Sequence, residues 1–221
     1  MTFKTKDFVS VDFDLYANGK LVQTTSEKKA KEANLEGKDF KPVSMVLGKA
    51  FVLKALDEAI EKTDIGKENS IELTAEQAYG KRKKEMIRTF PENSFIQNKM
   101  RPVVGMTYDF NGMYGTVKSA SRGRVMVDFN NPLSGKDIKI DFKVIEKIED
   151  IKTQMETIFE AVLKFPNNMY NIEVKNKNIT LAIPKELHPI KDQLTKTFEE
   201  FIFNFKDFTL ELQEKEVTKE N

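Results

Sequence analysis

The stretch AEQAYGKRKKEMIRTFP, Ala75 to Pro91, decides how this chain is read. The alternating segment ENSIELTAEQAYG, with Ile71 and Leu73 on one face, ends there in Ala-Tyr-Gly and runs directly into Lys81, Arg82, Lys83 and Lys84. Alternation of period two marks a strand, and the Tyr-Gly pair marks its closing turn. The basic run has two readings: the start of a solvated loop, or a nucleic-acid surface. Glu85 and Glu92 follow closely, and no aromatic residues are interleaved with the lysines, so a solvated loop is expected and no nucleic-acid partner.

On the N-terminal side, FVSVDFDLYANGKLVQTT places Phe8, Val9, Val11, Phe13 and Leu15 in a strand, and its Asn-Gly pair favours a two-residue hairpin turn. After a polar connector, KPVSMVLGK reads as a further strand. AFVLKALDEAIEKTDIGK then sets Val52, Leu56, Ala59 and Ile60 on one helical face before Gly66. This β-β-β-α-β order implies a bent antiparallel sheet wrapped on a short helix. From Arg88 to Phe129 prolines and glycines punctuate three short strands, MTYDF, MYGTVKSA and RVMVDF, which read as a small all-β module. IKIDFKVIEKIED closes the first sheet. Beyond it, IKTQMETIFEAVLKF is an amphipathic helix, YNIEVKNKNITLAIP two strands, KELHPIKDQLTKTFEEFIFNF a second helix and DFTLELQEKE a last strand. Three regions result: 1–87 with 130–150, an inserted 88–129, and an α+β region at 151–221.

Composition excludes several chemistries. The 221 residues hold no cysteine and one histidine, His188, so disulfides, thiolate metal sites and His-based triads lack material, and neither metal nor cofactor is expected. Lysine and arginine number 36 against 35 acidic residues, so net charge names no partner. The N-terminus has no apolar leader, and no window approaches the ~18 apolar residues of a membrane span, so the expectation is a cytoplasmic protein without a membrane partner.

The pieces GKLVQTT, PVSMVLGKAFVLKALDEAIEKTDIGKENSIELTAEQAYGKR and VDFNNPLSGKDIKIDFKVIEKIED, in that order and spacing, resemble the FKBP-type peptidyl-prolyl isomerases, in particular the SlyD-like and archaeal long-chain form. In that form a small domain is inserted in the flap after the Tyr-Gly turn. The resemblance implies an α+β fold with an FKBP-like sheet around a short helix, a small all-β insert and a C-terminal α+β domain. It implies catalytic positions at Tyr79, Gln23, Val22, Phe13, Val52, Leu53, Leu56 and Ile140, with Val43, Met45 and Asn131 on the substrate side. Tyr79 would donate its hydroxyl to a substrate carbonyl. The chain departs from the family where it has Val22-Gln23 in place of a Phe-Asp pair, Phe13 for a tyrosine, Ala55 for a glycine and Asn131 for a frequent histidine, which implies a weakened rate.

The insert's Met100, Met106, Met113 and Met126, with Phe95, Ile96, Tyr108, Phe110 and Tyr114, exceed what so small a unit buries, and part of them is expected to face solvent as a surface for unfolded or nascent chains. Phe95, Met100, Met106, Tyr108, Met113 and Met126 are the candidates for contact. The helix bearing Phe198, Phe201, Ile202, Phe203 and Phe205 is apolar on more than one face and suggests a homodimer interface. Two functions stay open: an isomerase coupled to a holdase, and a binding-only chaperone built on an isomerase fold with a degraded pocket.

Overall fold

In the computed structural model, which describes residues 3–37, 40–49 and 53–215, β1 (Phe8–Ala17) turns into β2 (Lys20–Thr24) through Asn18 and Gly19, both at positive φ, 49° and 78°. This is the geometry that an Asn-Gly pair favours. Where a plain connector was expected, α1 (Glu27–Glu32) forms; the Ser26 hydroxyl caps it and only Ala30 is buried, so no apolar period announces it. Next come β3 (Val43–Val46), α2 (Lys54–Ile60) and β4 (Glu68–Leu73). Gly48 of the Leu-Gly-Lys motif sits at φ +82°, and a Cβ there would lie 2.4 Å from the Thr5 methyl. Its N–H donates to the buried Asp57 carboxylate of α2 at 3.2 Å, which ties the loop's start to the helix.

The inserted region holds β5 (Ile87–Pro91), α3 (Glu92–Gln97), β6 (Thr107–Phe110), β7 (Met113–Ser121) and β8 (Arg124–Asp128), with the antiparallel order β5-β8-β7-β6. Beside the three expected strands stand a fourth and a six-residue helix that starts after Pro91. Phe95, Val117, Val125, Val127 and Phe129 form its core, with Phe90 stacked on Phe110 at 5.4 Å and Phe110 edge-on to Phe129 at 5.1 Å. Aromatic pairs add about 0.5–1.5 kcal/mol each beyond area burial, a useful supplement in so small a core.

β9 (Ile138–Lys147) completes the first sheet, of order β2-β1-β9-β4 with β3 paired to β1. The remaining elements are α4 (Ile151–Thr157), continued over Ile158–Val162 as a wider π turn, β10 (Asn171–Lys175), β11 (Asn178–Ile183), α5 (Lys191–Phe201) and β12 (Thr209–Glu214). The second expected helix divides into a 3-10 stretch, Lys185–Ile190, and α5. β11 pairs antiparallel with β10 and parallel with β12.

By compactness the chain divides into two units, one of Met1–Tyr16, Lys20–Ile71 and Lys139–Asn221, the other of Ala17–Gly19 and Glu72–Ile138. Within the first, the C-terminal elements do not form a core of their own alone. Phe8 and Val46, opposite each other on β1 and β3, join Ile158, Phe159, Leu181, Phe198 and Phe205 in one cluster. Lys49 reaches Glu200 at 2.7 Å and lies 4.5 Å from the Phe201 ring centre, and the Lys6 ammonium donates to the Glu200 carbonyl at 2.8 Å.

This packing corrects the reading of the phenylalanine-rich helix. α5 ends at Phe201, and the chain then turns so that Ile202 and Phe205 return to the same core as Phe198 and Phe201. Phe203 alone of the five is fully exposed, so the apolar faces that suggested a subunit interface are consumed within the chain. Phe198→Ala should lower unfolding free energy by about 3–5 kcal/mol, the usual cost of emptying a phenylalanine site. Phe203→Ser should stay within about 0.5 kcal/mol; urea titration of both variants checks the contrast.

Candidate active site and client surface

β1 lays out the first set of predicted residues. Its odd positions, Val9, Val11, Phe13, Leu15 and Ala17, are all buried, and Val9 and Val11 face Met45 and Val43 across the β1–β3 ladder. Phe13 therefore continues an apolar row to which Met45 belongs. Met45, Leu56 and Ile140 are fully buried and Leu53, the residue before α2, nearly so, while Val43 is about one-third exposed at its strand end. Val22 on β2 is half-buried; Gln23 beside it is exposed, and its amide makes no hydrogen bond among the described residues. Val52 lies outside the described residues.

The hydroxyls that follow Val22-Gln23 were missed by the sequence reading. Thr24 donates to the Asp14 carboxylate at 2.5 Å, and Lys29 from α1 closes on the same carboxylate, which holds its ammonium pKa above the usual lysine range. Thr25 donates to Asp12 at 2.9 Å and accepts from the Phe13 N–H at 3.0 Å. Two threonines facing two aspartates across a hairpin were the available signal. Asp12, Asp14 and Thr25 border a broad groove of about 830 Å³ with Ser70 and Asp141. Its lining is mainly charged and polar, with Phe13, Pro42 and Phe142 as the apolar members.

Tyr79 belongs to the second compact unit. It follows a turn in which the Thr74 N–H donates to the Gln77 side chain at 3.1 Å and the Gly80 N–H to the Ala75 carbonyl at 2.7 Å. The Ser134 hydroxyl donates to the Tyr79 carbonyl at 3.0 Å. The ring is half-buried, and burial pushes its hydroxyl pKa up, so the group stays a protonated donor. Among the described residues nothing accepts from that hydroxyl. Asn131 is exposed, with its side-chain oxygen accepting from the Leu133 N–H at 2.8 Å; it shapes the return turn.

The basic run that opened the sequence has a structural task. Arg82 pairs with Asp128, a carboxylate that is otherwise buried and also accepts from the Asn130 backbone at 2.9 Å and side chain at 2.8 Å. Asn130 in turn accepts from the Lys83 N–H at 2.8 Å and donates to the Lys83 carbonyl at 2.9 Å. Gly135 donates to Gly80 at 2.8 Å, and Phe129 to Met86 at 2.9 Å. The outgoing and returning arms of the insert are thus laced side by side. The expectation of a purely solvated run holds for Lys81, which meets only the exposed Glu76, and fails for Arg82.

Of the residues expected to contact clients, Phe95 is core, 1% exposed and edge-on to Tyr108 and Phe110. Tyr108 is half-buried, its hydroxyl donating to the Arg101 carbonyl and accepting from the Val103 N–H at 3.1 Å, and Met100 packs on the same core. Both are committed to the fold. Met106, Met113 and Met126 are exposed, as are Ile96, Val103, Val104 and Tyr114. Val103 and Val104 escaped notice because a Pro-Val-Val-Gly loop carries no period.

An antiparallel sheet with an apolar row against α2, followed by an Ala-Tyr-Gly turn that opens into a laced insert, defines an FKBP-type domain interrupted in its flap. Residues 1–97 match the FKBP-type peptidyl-prolyl cis-trans isomerase family and residues 88–133 the FKBP26 IF domain. Over residues 1–97 the chain is thus of the FKBP type, and over residues 88–133 it carries an insert-in-flap domain. It is 28% identical over 143 residues to the short-type peptidyl-prolyl cis-trans isomerase of Methanocaldococcus jannaschii, covering 64% of this chain and 91% of that protein. With the FKBP-type isomerase SlyD of Helicobacter pylori it shares 33% over 107 residues, 47% of this chain and 58% of the relative. The FKBP-type 16 kDa isomerase of Escherichia coli matches at 25% over 111 residues, 48% and 74%.

Arg82→Ala should destabilise the chain by roughly 1–3 kcal/mol, because it strips a buried carboxylate of its charged partner although the arginine itself is partly solvated. Lys81→Ala should leave stability within about 0.5 kcal/mol. Thermal unfolding of the two single variants separates these outcomes.

Proposed function

We propose that the chain isomerises X-Pro peptide bonds and captures unfolded or nascent chains on its insert-in-flap domain. The observation that carries the first part is the Tyr79 hydroxyl, protonated, half-buried and, among the described residues, without an acceptor of its own. An X-Pro amide faces a barrier of ~18–20 kcal/mol because rotation breaks resonance, so a catalyst has to favour the twisted amide over the planar one. That demands no nucleophile and no metal. An apolar surrounding disfavours the polar planar form, and a hydroxyl donor such as Tyr79 steadies the twisted one, each ~1.4 kcal/mol of preference giving tenfold in rate.

The support for capture is the exposed set Ile96, Val103, Val104, Met106 and Met113 on a module of adequate core. Exposed aliphatic and methionine side chains of this kind suit many sequences weakly. The binding-only alternative draws on Val22 and on Gln23, whose amide makes no hydrogen bond among the described residues, at the positions where the resembled family has a Phe-Asp pair. A cytoplasmic location accords with capture of nascent chains. Among the described residues no helix is long and apolar enough to cross a membrane.

A refolding assay limited by an X-Pro bond, run at catalytic and stoichiometric protein concentrations, separates turnover from capture. Tyr79→Ala and Tyr79→Phe should both lower kcat/KM, about tenfold for one lost hydrogen bond to the transition state, and Val22→Phe with Gln23→Asp should raise it. Because burial raises the Tyr79 pKa above the ordinary value of ~10, the donor stays protonated and the rate should be flat through about pH 9. Unchanged rates in all three variants would mean that the site is wrongly placed.

Replacing the insert between its laced arms by a short glycine-containing loop should leave the sheet folded and abolish suppression of client aggregation. X-Pro catalysis should then slow more on protein substrates than on short peptides, since a held chain raises the local concentration of its prolines. Full suppression by the loop-replaced protein would place capture elsewhere.

A further inference from the structure

Charge is unevenly distributed in this chain. Between residues 88 and 133 there are six basic side chains and three acidic ones, while the rest carries two more acidic than basic residues. Asp128 is buried against Arg82, and the Asp109 carboxylate accepts from the Gly112 N–H at 2.6 Å. With Asp128 set against Arg82, the six basic side chains are opposed only by Glu92 and the exposed Asp109, so the insert's solvent-facing field is net positive.

The strand register gathers part of that charge in one place. Thr89, Met126 and Ser119 lie abreast across β5, β8 and β7, and Pro91, Arg124 and Ser121 lie abreast two residues along. Val125 and Val127 point into the core, so Arg124 and Met126 point to solvent. Arg122 stands in the β7–β8 turn at φ 51°. Thr89, Ser119, Ser121, Arg122, Arg124 and Met126 line a groove of about 540 Å³. Among the described residues neither guanidinium has a carboxylate partner, and none of the three hydroxyls makes a hydrogen bond.

We propose that this groove is a carboxylate-recognition subsite of the capture surface, selecting extended client segments in which Asp or Glu is interspersed with apolar residues. The inference rests on the reading of the insert as a capture domain. Guanidinium groups bind carboxylates through paired, charge-assisted hydrogen bonds, and the free hydroxyls supply further donors. Same-face side chains of an extended peptide recur about every 6.6–6.8 Å. One carboxylate at Arg124 thus leaves its apolar neighbour over Met126, whose 41% exposure offers a floor for an aliphatic group. Arginine and hydroxyl groups also suit phosphates, but the groove has no aromatic platform on which a base would stack. Basic segments are repelled by the same field, so the module discriminates among clients of equal hydrophobicity.

The test uses the full chain and two short fluorescent peptides of identical apolar content, one with Asp and Glu interspersed, the other with Lys and Arg at the same places. Anisotropy titrations should show the acidic peptide bound about tenfold more tightly. The gap should shrink between about 0.1 M and about 1 M salt, as the screening length falls from roughly 10 Å to roughly 3 Å. Arg122→Asn with Arg124→Ser should bring the two peptides to within about twofold at unchanged melting temperature, since both side chains are exposed and asparagine suits a positive φ. Should that variant fold poorly, Ser119→Asp in the otherwise unchanged chain should weaken the acidic peptide and spare the basic one.

Equal affinities for the wild-type chain, or a gap that survives these substitutions, overturn the subsite while leaving capture intact. Binding of neither peptide, together with no suppression of aggregation, sinks the capture reading itself. Preference for a single-stranded oligonucleotide over the acidic peptide overturns the proposal in favour of phosphate recognition.

Discussion

A domain hung in a loop is tolerated only if its two connections leave the host loop closed, and here that constraint falls on a few bonds between 79–86 and 128–135. Backbone pairs at Gly80–Gly135 and Met86–Phe129 fix the register of the two arms, and Asn130 holds Lys83 by both its donor and its acceptor. The charged pair of Arg82 and Asp128 sits between them. Breaking a buried pair by removing one partner is costlier than never having made it, so the clasp specifies one arrangement of the arms more than it stabilises the chain. Tyr79, whose carbonyl is held by Ser134 from the returning arm, has its position set by the same lacing.

A second constraint acts on β1. Its odd positions serve an apolar row that includes Phe13, while Phe8 on the opposite face belongs to the core shared with α4, β11 and α5. Further along that opposite face are Asp12 and Asp14, held by Thr25, Thr24 and Lys29. One strand thus changes its outer partner from apolar packing to a hydrogen-bonded polar surface within a few residues. This explains why the C-terminal phenylalanines are covered without a second subunit: the exposed end of one sheet and the open core of the other elements complete each other.

How far the sequence could show this depends on what each element buries. The hairpin was legible because Asn-Gly turns and strict alternation are local properties, and α2 because its apolar spacing is regular. α1 was not, since it rests on a Ser26 cap and a single buried alanine, and α3 was not, since it is short and follows a proline. Surplus methionine and aromatic content foretold exposed apolar residues in the insert but not which ones. Phe95 and Met126 look alike in composition, and only the fold of α3 onto the sheet separates a core ring from a surface side chain. Arg82 was read as solvated because its partner lies forty-six positions away in the sequence, beyond any local pattern. The motif residues of the family gave the positions of Tyr79 and of the apolar row; they gave nothing about the threonine–aspartate lacing beside them.

The chemistry asked of the domain fits this division of labour. Isomerisation of a prolyl bond needs a non-aqueous lining and one or two well-placed donors, and these survive substitution better than a nucleophile–base pair would, because no proton has to move. If position 23 serves the proposed reaction, a neutral Gln23 offers an acceptor typically worth about 1 kcal/mol against about 1.5–3 for a charged one, which would lower the rate without abolishing the mechanism. A slower catalyst gains most from a client that stays nearby. On the function proposed above, capture on an apolar surface would keep several prolines of one chain within reach for repeated attempts, so that weak and broad binding by the insert would offset a slow catalytic step.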